Sequence, residues 1–198
     1  PRPRLTLGLN PHRPPHASAQ RRYADKRIPT SSPTRRMNRV SFLGLMDSLE
    51  GTVRHLEWKP GGTEWGDYYQ ASSSHYTSAA AEHKRIRLAP DLPSRAAASG
   101  DPFLLHRALA NLVRNAIDFS PTHGVIEIAL TQQRHRWELS VRDHGPGLPD
   151  YALGRVFDRF YSLPRPDTGR KSTGLGLAFV REVAALHGGR ATLANHAE

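Results

Sequence analysis

The feature that most constrains the fold is a change in the spacing of apolar residues near residue 120. Before this point they recur every three or four positions, which predicts an amphipathic helix; they are Leu105, Leu109, Leu112 and Ala116. Asp101 and Pro102 suit the start of this helix, and Pro121 ends it. After it, residues 126–130 and 137–141 alternate between apolar and polar, as strands with one buried face do.

Three shorter patterns extend this order. Residues 85–88 alternate and are ended by Pro90, which predicts a short strand. Residues 175–187 have helical spacing and are followed by Gly188 and Gly189 as a C-cap, and a last strand begins at Arg190. Elements in this order predict an α+β fold, a two-layer sandwich with a mixed, mostly antiparallel sheet.

The N-terminal arm differs from the rest of the chain in charge and composition. Residues 1–40 contain ten Lys and Arg against one acidic residue, whereas residues 41–198 contain eighteen against seventeen. The arm also holds seven of the 16 prolines and few apolar residues, so we predict that residues 1–38 form a largely irregular, disordered basic arm. The alternative is an arm that binds nucleic acid or an anionic membrane surface.

Residues 39–78 connect this arm to the regular part of the chain. Apolar residues at helical spacing predict a helix over residues 39–58, and the Gly-, Ser- and Tyr-rich residues 59–78 predict a linker. The sequence has no cysteine and no apolar run near the roughly 20 residues that span a bilayer. We therefore expect a cytoplasmic protein without a disulfide framework.

Polar motifs follow the predicted helix and strands closely. Asn111 and Asn115 stand four apart, on one face of the helix, and Asp143 follows a strand directly. Glycines at 145 and 147 let a backbone approach a ligand, and those at 174 and 176 open a helix whose free N–H groups suit phosphate. Each motif alone has a plain alternative, an exposed helix face or an ordinary turn. Together they predict a nucleotide pocket.

The order of these motifs resembles that of sensor histidine kinases. The run NLVRNAIDFSP (111–121) resembles the N box of that family, DHGPG (143–147) the G1 box, VFDRFY (156–161) the F box and GLGL (174–177) the G2 box. The resemblance covers about residues 79–198 and identifies them as the ATP-binding catalytic domain. Residues 157–189 look particularly like the CreC-type subgroup.

The resemblance implies the Bergerat fold, with ATP as substrate and Mg²⁺ bridging protein and phosphates. Asn115 would offer its amide oxygen to the metal, and Asn111 would lie beside the phosphates. Asp143 would bind the adenine amino group, while Gly145 and Gly147 would shape the adenine pocket. Because related ATPases carry a glutamate base where Asn111 stands, the resemblance implies little ATP hydrolysis.

A nucleotide lid is implied over about residues 150–173. Phe157 and Phe160 would anchor it by burial, and the G2 box would let it close over the triphosphate; that box comprises Gly174, Leu175, Gly176 and Leu177. Four cations are candidates to neutralise phosphate charge, of which we expect one or two to contact ATP; they are Arg159, Arg165, Arg170 and Lys171. Asp118 departs from the family pattern, which puts a phosphate contact at that position in doubt.

The resemblance also implies partners that this sequence does not itself display. The phosphoacceptor motif has a poor approximation at residues 55–60, HLEWKP, too near Asn111 for the usual hairpin, so the accepting histidine is expected elsewhere. Residues 36–60 resemble the end of the second hairpin helix instead. The implied partners are a dimerisation and phosphoacceptor histidine domain, a response regulator receiver domain and a second kinase copy, with membrane contact only through an upstream region.

Three interpretations remain open at this point. The first is a histidine kinase catalytic domain, a phosphotransferase that acts in trans or is inactive. The second is a serine kinase of the same fold, of the anti-sigma-factor type, and the third is a non-catalytic nucleotide or nucleic-acid binding module. Because family members continue past a segment like residues 191–198 with a further strand, we also expect a truncated sheet with an unpaired edge.

Overall fold

The computed structural model describes residues 2–9, 38–41, 81–93, 96–133 and 136–196. Residues 81–84 are helical. The strands are β1 (Arg2–Leu9), β2 (Asn38–Ser41), β3 (Arg87–Asp91), β4 (Ala97–Gly100), β5 (Val125–Gln133), β6 (Arg136–Arg142) and β7 (Arg190–His196). The other helices are α1 (Pro102–Phe119), α2 (Asp150–Leu153) and α3 (Gly176–Leu186).

The main sheet has five strands in the order β3-β5-β6-β1-β7. Only the β3–β5 pair among these is parallel, and the other three pairs are antiparallel. The helices α1 and α3 pack against each other and against the sheet. The predicted two-layer α+β sandwich with a mostly antiparallel sheet is therefore confirmed. A separate two-stranded sheet pairs β2 with β4.

Helix α1 forms where its sequence pattern predicts it. The Asp101 carboxylate accepts a hydrogen bond from the Leu104 N–H at 3.0 Å, which caps the first turn. The Ser120 N–H donates to the Ala116 carbonyl oxygen at 2.9 Å, and Pro121 follows. The buried face of α1 lies over alternate residues of β5 and β6; these core side chains include Leu105, Leu109, Leu112, Ile126, Ile128 and Val141.

A buried histidine joins the start of α1 to the end of α3. His187 Nε2 accepts a hydrogen bond from the Asp101 N–H at 3.1 Å, and His187 Nδ1 donates to the Val183 carbonyl oxygen at 2.8 Å. Burial lowers the pKa of His187, which favours the neutral ring, and the two hydrogen bonds select its tautomer. The two helices are thus held in one layer by a polar contact as well as by apolar packing.

The assignment of residues 1–38 to a disordered arm is wrong for Arg2–Leu9, which form β1 in the interior of the sheet. Leu5, Leu7 and Leu9 alternate with Thr6 and Gly8 and are at most 4% exposed. The burial of these three leucines offsets the conformational entropy that this segment loses when it becomes ordered. One side of β7 pairs with this strand, and β7 is the edge strand of the sheet that the described residues form.

Two other predicted boundaries are corrected. The helix expected over residues 39–58 begins in a strand, because Asn38–Ser41 pair with Ala97–Gly100; the rest of that helix, His55 and the linker 59–78 lie outside the described residues. The strand expected at 85–88 begins at Arg87, since Arg85 has a φ of 52°. It continues through Pro90 to Asp91, because an edge strand has one side that needs no donor.

Among the described residues, no helix is both long enough and apolar enough to cross a bilayer.

Candidate active site

A cavity of about 370 Å³ opens between α1, the loop after β6 and the segment between α2 and α3. Nine of the predicted site residues line it: Asn111, Asn115, Asp143, Gly147, Arg165, Lys171, Gly174, Gly176 and Leu177. Asp143 and Leu177, which lie 32 and 66 positions after Asn111, thus line the same cavity as Asn111, as the motifs predict.

The polar face of α1 forms one wall of the cavity. Asn111 Nδ2 donates a hydrogen bond to the Arg107 carbonyl oxygen at 2.9 Å, and Asn111 Oδ1 accepts one from Arg114 Nη2 at 2.7 Å. Asn115 lies one turn further along on the same wall, and Arg114 lines the cavity as well. This wall therefore offers two amides and a cation.

Asp143 provides an acceptor at the end of β6. Its side chain is 6% exposed, and its Oδ1 accepts a hydrogen bond from the Gly145 N–H at 2.9 Å. Burial raises the pKa of Asp143 to about 6, although the Gly145 N–H and the neighbouring His144 oppose that shift. The other carboxylate oxygen is suited to accept from an amino group in the cavity.

The glycines that follow Asp143 keep this end of the cavity open. A Cβ on Gly145 would lie 2.5 Å from the Phe119 carbonyl oxygen, so only glycine fits where the loop passes the end of α1. Gly147 lines the cavity with a φ of 81°, a backbone conformation that favours glycine. Gly145 itself does not line the cavity but positions the loop that does.

A clamp holds this loop against β7. The Leu148 N–H donates to Asn195 Oδ1 at 3.0 Å, and Asn195 Nδ2 donates to the Leu148 carbonyl oxygen at 2.7 Å. Leu148 lines the cavity. The role of Asn195 could not be predicted from the sequence, because an asparagine near the end of a strand carries no signal for a partner 47 residues away.

Within the segment expected to act as a lid, residues 160–174 fold back on themselves beside the cavity, and we call this loop the hairpin. At its base, the Phe160 N–H donates to the Gly174 carbonyl oxygen at 3.0 Å. Further along, the Ser172 N–H donates to Ser162 Oγ at 3.0 Å, and the Arg165 N–H donates to the Arg170 carbonyl oxygen at 3.0 Å. These hydrogen bonds hold the loop that places Lys171 and Arg165 beside the cavity.

Gly174 is required at the base of the hairpin. It has a φ of 66°, and a Cβ there would lie 2.5 Å from both the Phe160 carbonyl carbon and the Tyr161 carbonyl oxygen. A Cβ on Gly176 would lie 3.2 Å from Asn111 Oδ1. The two G2-box glycines therefore allow the hairpin and the start of α3 to pack closely beside the amide wall.

Two ion pairs attach the hairpin to the end of α1. Arg165 Nη2 donates to Asp118 Oδ2 at 2.7 Å, and Lys84 Nζ lies 2.5 Å from Asp167 Oδ2. Lys84 Nζ also donates to the Ile117, Asp118 and Ser120 carbonyl oxygens at 2.9 to 3.1 Å. Asp118 thus contacts a hairpin cation in this structure, which explains how the chain uses an acid at this position.

Several predicted site residues lie away from the cavity. Phe157 packs against the core as expected, but the expectation that Phe160 is buried is wrong, because this side chain is 78% exposed on a backbone with a φ of 66°. Leu175 is 43% exposed. Arg159 lies 3.9 Å from Glu182, and Arg170 is exposed on the hairpin; neither lines the cavity.

The floor of the cavity contains apolar residues that lie outside the sequence motifs. They come from β1, β7 and the segment around α2, and they include Pro3, Leu5, Val156 and Leu193. The period-two apolar pattern of residues 5–9 could have identified β1, but its Pro- and Arg-rich neighbours concealed it.

The oxygen donors of this site suit a magnesium ion. The described residues hold no group of three or more His, Asp or Glu side chains able to form a protein cage for a metal. Mg²⁺ commonly takes one or two protein oxygens and completes its shell with phosphates and water. The Asn115 amide, on the cavity wall, fits that limited role.

Comparisons with known proteins agree with this geometry. The profile of the family described as histidine kinase-, DNA gyrase B- and HSP90-like ATPase matches residues 100–198. The sensor protein CreC of Escherichia coli is 52% identical over 103 residues, which are 52% of this chain and 22% of CreC. The sensor-like histidine kinase SenX3 of Mycobacterium tuberculosis is 40% identical over 114 residues, or 56% of this chain and 27% of SenX3.

Among solved structures, the mycobacterial sensor histidine kinase MprB superimposes with a TM-score of 0.52 at 25% identity. The match covers 77% of this chain and 80% of that one. The Bergerat-type fold and the resemblance to CreC-type sensor kinases are both confirmed by these matches. The chain spans about a quarter of the length of the curated relatives it matches.

Proposed function

Because the chain belongs to the family of histidine kinase-, DNA gyrase B- and HSP90-like ATPases, we propose that its cavity binds Mg²⁺-ATP and presents the γ-phosphate to a histidine on another domain. The observation that carries this proposal is the set of side chains that the cavity brings together. A buried carboxylate (Asp143), two amides (Asn111 and Asn115) and two hairpin cations (Arg165 and Lys171) all line it.

The Asp143 carboxylate suits the adenine base. Its free oxygen can accept the exocyclic amino group, and apolar lining residues such as Val156 and Leu193 can contact the ring faces. Asp143 is 6% exposed, so a hydrogen bond to it is little weakened by competition with water. Guanine, which presents a carbonyl oxygen at the corresponding position, would place two acceptors together.

The amides and the hairpin cations suit the triphosphate and its metal. Asn115 would hold Mg²⁺ together with the phosphate oxygens, and the ion would supply charge neutralisation when bound. Arg165 and Lys171, the two of the four candidate cations that line the cavity, lie on the hairpin above it. Phosphoryl transfer needs mainly such positioning and charge compensation from the protein.

The cavity wall favours transfer over hydrolysis. Activation of water needs a general base, but the position nearest the start of α3 is occupied by Asn111, whose amide is bound to Arg114 and to the Arg107 carbonyl oxygen. An incoming imidazole nitrogen carries its own lone pair, so it attacks the γ-phosphorus as the bond to the β-phosphate oxygen breaks, and ADP leaves.

The acceptor belongs to a partner. We propose a dimerisation domain carrying the phosphoacceptor histidine and a response regulator receiver domain as successive recipients of the phosphoryl group, with the complete kinase acting as a homodimer in the cytoplasm. The printed names of the relatives, sensor protein and sensor-like histidine kinase, support this assignment.

Calorimetry with a non-hydrolysable ATP analogue tests the nucleotide site. We expect binding by the parent chain that strengthens with Mg²⁺ and is lost in Asp143→Ala. Asp91→Ala, on the exposed edge strand β3, is the matched control and should bind like the parent. A parent chain that is folded by circular dichroism but binds no analogue would overturn the proposal.

A further inference from the structure

We propose that the N-terminal strand β1 is a part of the nucleotide site, and that Leu5 is a positioning residue for the adenine end of that site. This inference rests on the proposed function, and it adds a segment that lies more than 90 residues before the matched family region. Three features of the described residues carry it.

The first feature is the place of β1 in the sheet. It pairs with β6 from Arg4 to Leu9 and with β7 from Arg2 to Gly8, both antiparallel. The strands β6 and β7 do not pair with each other, so β1 alone connects them. Since Asp143 directly follows β6 and Asn195 lies on β7, β1 sets the distance between the carboxylate and the clamp on Leu148.

The second feature is that some residues of β1 line the cavity whereas others lie in the core. Pro3, Leu5, Leu7 and Leu9 share the face that is turned toward the helices. Pro3 and Leu5 line the cavity, whereas Leu7 and Leu9 do not and are each 1% exposed. Leu5 is paired with Val141 on one side and with Leu193 on the other. It therefore lies in the floor close to the end of β6.

The third feature is a close backbone contact that fixes the position of β1 along the strand direction. A Cβ on Gly189, just before β7, would overlap the Gly8 carbonyl oxygen. Only glycine permits this approach, so the turn after α3 is fitted to β1. The strand is thus held in one register, and the side chain of Leu5 has one position relative to the cavity.

Leu5→Ala and Leu7→Ala in the full chain test the inference. Both remove the same buried atoms from the same strand face, and both should lower the unfolding midpoint in urea similarly. At a temperature where both variants are folded, calorimetry with the ATP analogue should show a dissociation constant raised about tenfold for Leu5→Ala. The constant for Leu7→Ala should stay within about twofold of the parent value.

Leu5→Val is a milder variant in case Leu5→Ala does not fold, and it should raise the constant by about threefold, with little loss of stability. Equal effects of the Leu5 and Leu7 variants on affinity, or no effect of either, would overturn the inference while leaving the proposed function intact. Failure of the parent chain to bind the analogue would instead overturn both.

Discussion

Arg165 on the hairpin and Asp118 near the end of α1 form an ion pair of 2.7 Å, with side chains only 20% and 13% exposed. Both residues line the cavity. The carboxylate compensates the guanidinium charge that a triphosphate would otherwise meet. The pair therefore holds the hairpin in place. Its Asp118 carboxylate also competes with the nucleotide phosphates for the Arg165 guanidinium.

Removal of the acid should separate these two roles. In Asp118→Ala the Arg165 charge loses its partner in a largely buried setting, so the free energy of unfolding should fall by about 1–3 kcal/mol. A bound triphosphate can replace the lost partner, and affinity for the ATP analogue should rise about fivefold. Calorimetry and urea unfolding measure the two effects.

Arg165→Met is the matched opposite variant, because it keeps the length of the side chain without its charge. It should weaken analogue binding. If Asp118→Ala weakened binding as much as Arg165→Met, the pair would be needed intact for the shape of the cavity, and the competition between carboxylate and phosphate would be disproved.

The pH dependence of base binding follows from Asp143. Its pKa is raised to about 6 by burial, so the carboxylate loses its charge as the pH falls through 6. Affinity for adenosine should be nearly constant above pH 7 and about tenfold lower at pH 5. Adenosine is the appropriate ligand because it has no phosphate that titrates in this range.

The raised pKa of Asp143 affects folding stability in the opposite direction: a lower pH weakens adenosine binding but increases the contribution of this group to stability. The folded state binds a proton at Asp143 more readily than the unfolded state, whose carboxyl has an ordinary pKa of about 4. This group therefore adds stability as the pH falls from about 6 to 4. In Asp143→Asn both effects should vanish, and an unchanged pH profile of adenosine binding in that variant would assign the titration to another group.

Two glycines with nearly the same backbone conformation provide a test of the hairpin base. Gly174 and Gly169 have φ angles of 66° and 65°, but a Cβ on Gly174 would lie 2.5 Å from backbone atoms, whereas one on Gly169 would meet nothing within 4 Å. Gly169→Ala should cost about 1 kcal/mol of local strain. Gly174→Ala should also displace the hairpin.

The measurement is affinity for the ATP analogue compared with affinity for adenosine. Gly174→Ala should lower analogue affinity at least about tenfold, with a smaller effect on adenosine, because the hairpin carries Arg165 and Lys171, the two cavity-lining cations proposed to meet the phosphates. Gly169→Ala should leave both affinities unchanged. Equal losses in the two variants would show that chain stiffness, rather than crowding at the base, controls the hairpin.

The sequence predicted the parts of the fold that depend on local patterns. Helix α1 follows from its spacing and from Asp101, and the amide wall follows from two asparagines one turn apart. Strand β1 was missed because its partners in β6 lie more than 120 residues away, and nothing local distinguishes an alternating segment that finds a groove from one that does not. The Arg165–Asp118 pair was missed for the same reason, since 47 residues separate its members.

The Asn195 clamp is the contact whose loss should most directly alter the base end without touching Asp143. In Asn195→Ala the Leu148 N–H and carbonyl oxygen both lose their partner, so we expect a loss of about 1–2 kcal/mol in the free energy of unfolding. Because Leu148 lines the cavity, adenosine affinity should fall about threefold to tenfold.

Asn195→Asp distinguishes the two hydrogen bonds of the clamp. It keeps the acceptor for the Leu148 N–H but opposes a carboxylate to the Leu148 carbonyl oxygen, so it should weaken adenosine binding at neutral pH at least as much as Asn195→Ala. Thr192→Ala, at an exposed position on the same strand, is the control and should leave adenosine affinity unchanged. If both Asn195 variants bound adenosine like the parent, the loop after β6 would be held by Gly145 and Asp143 alone.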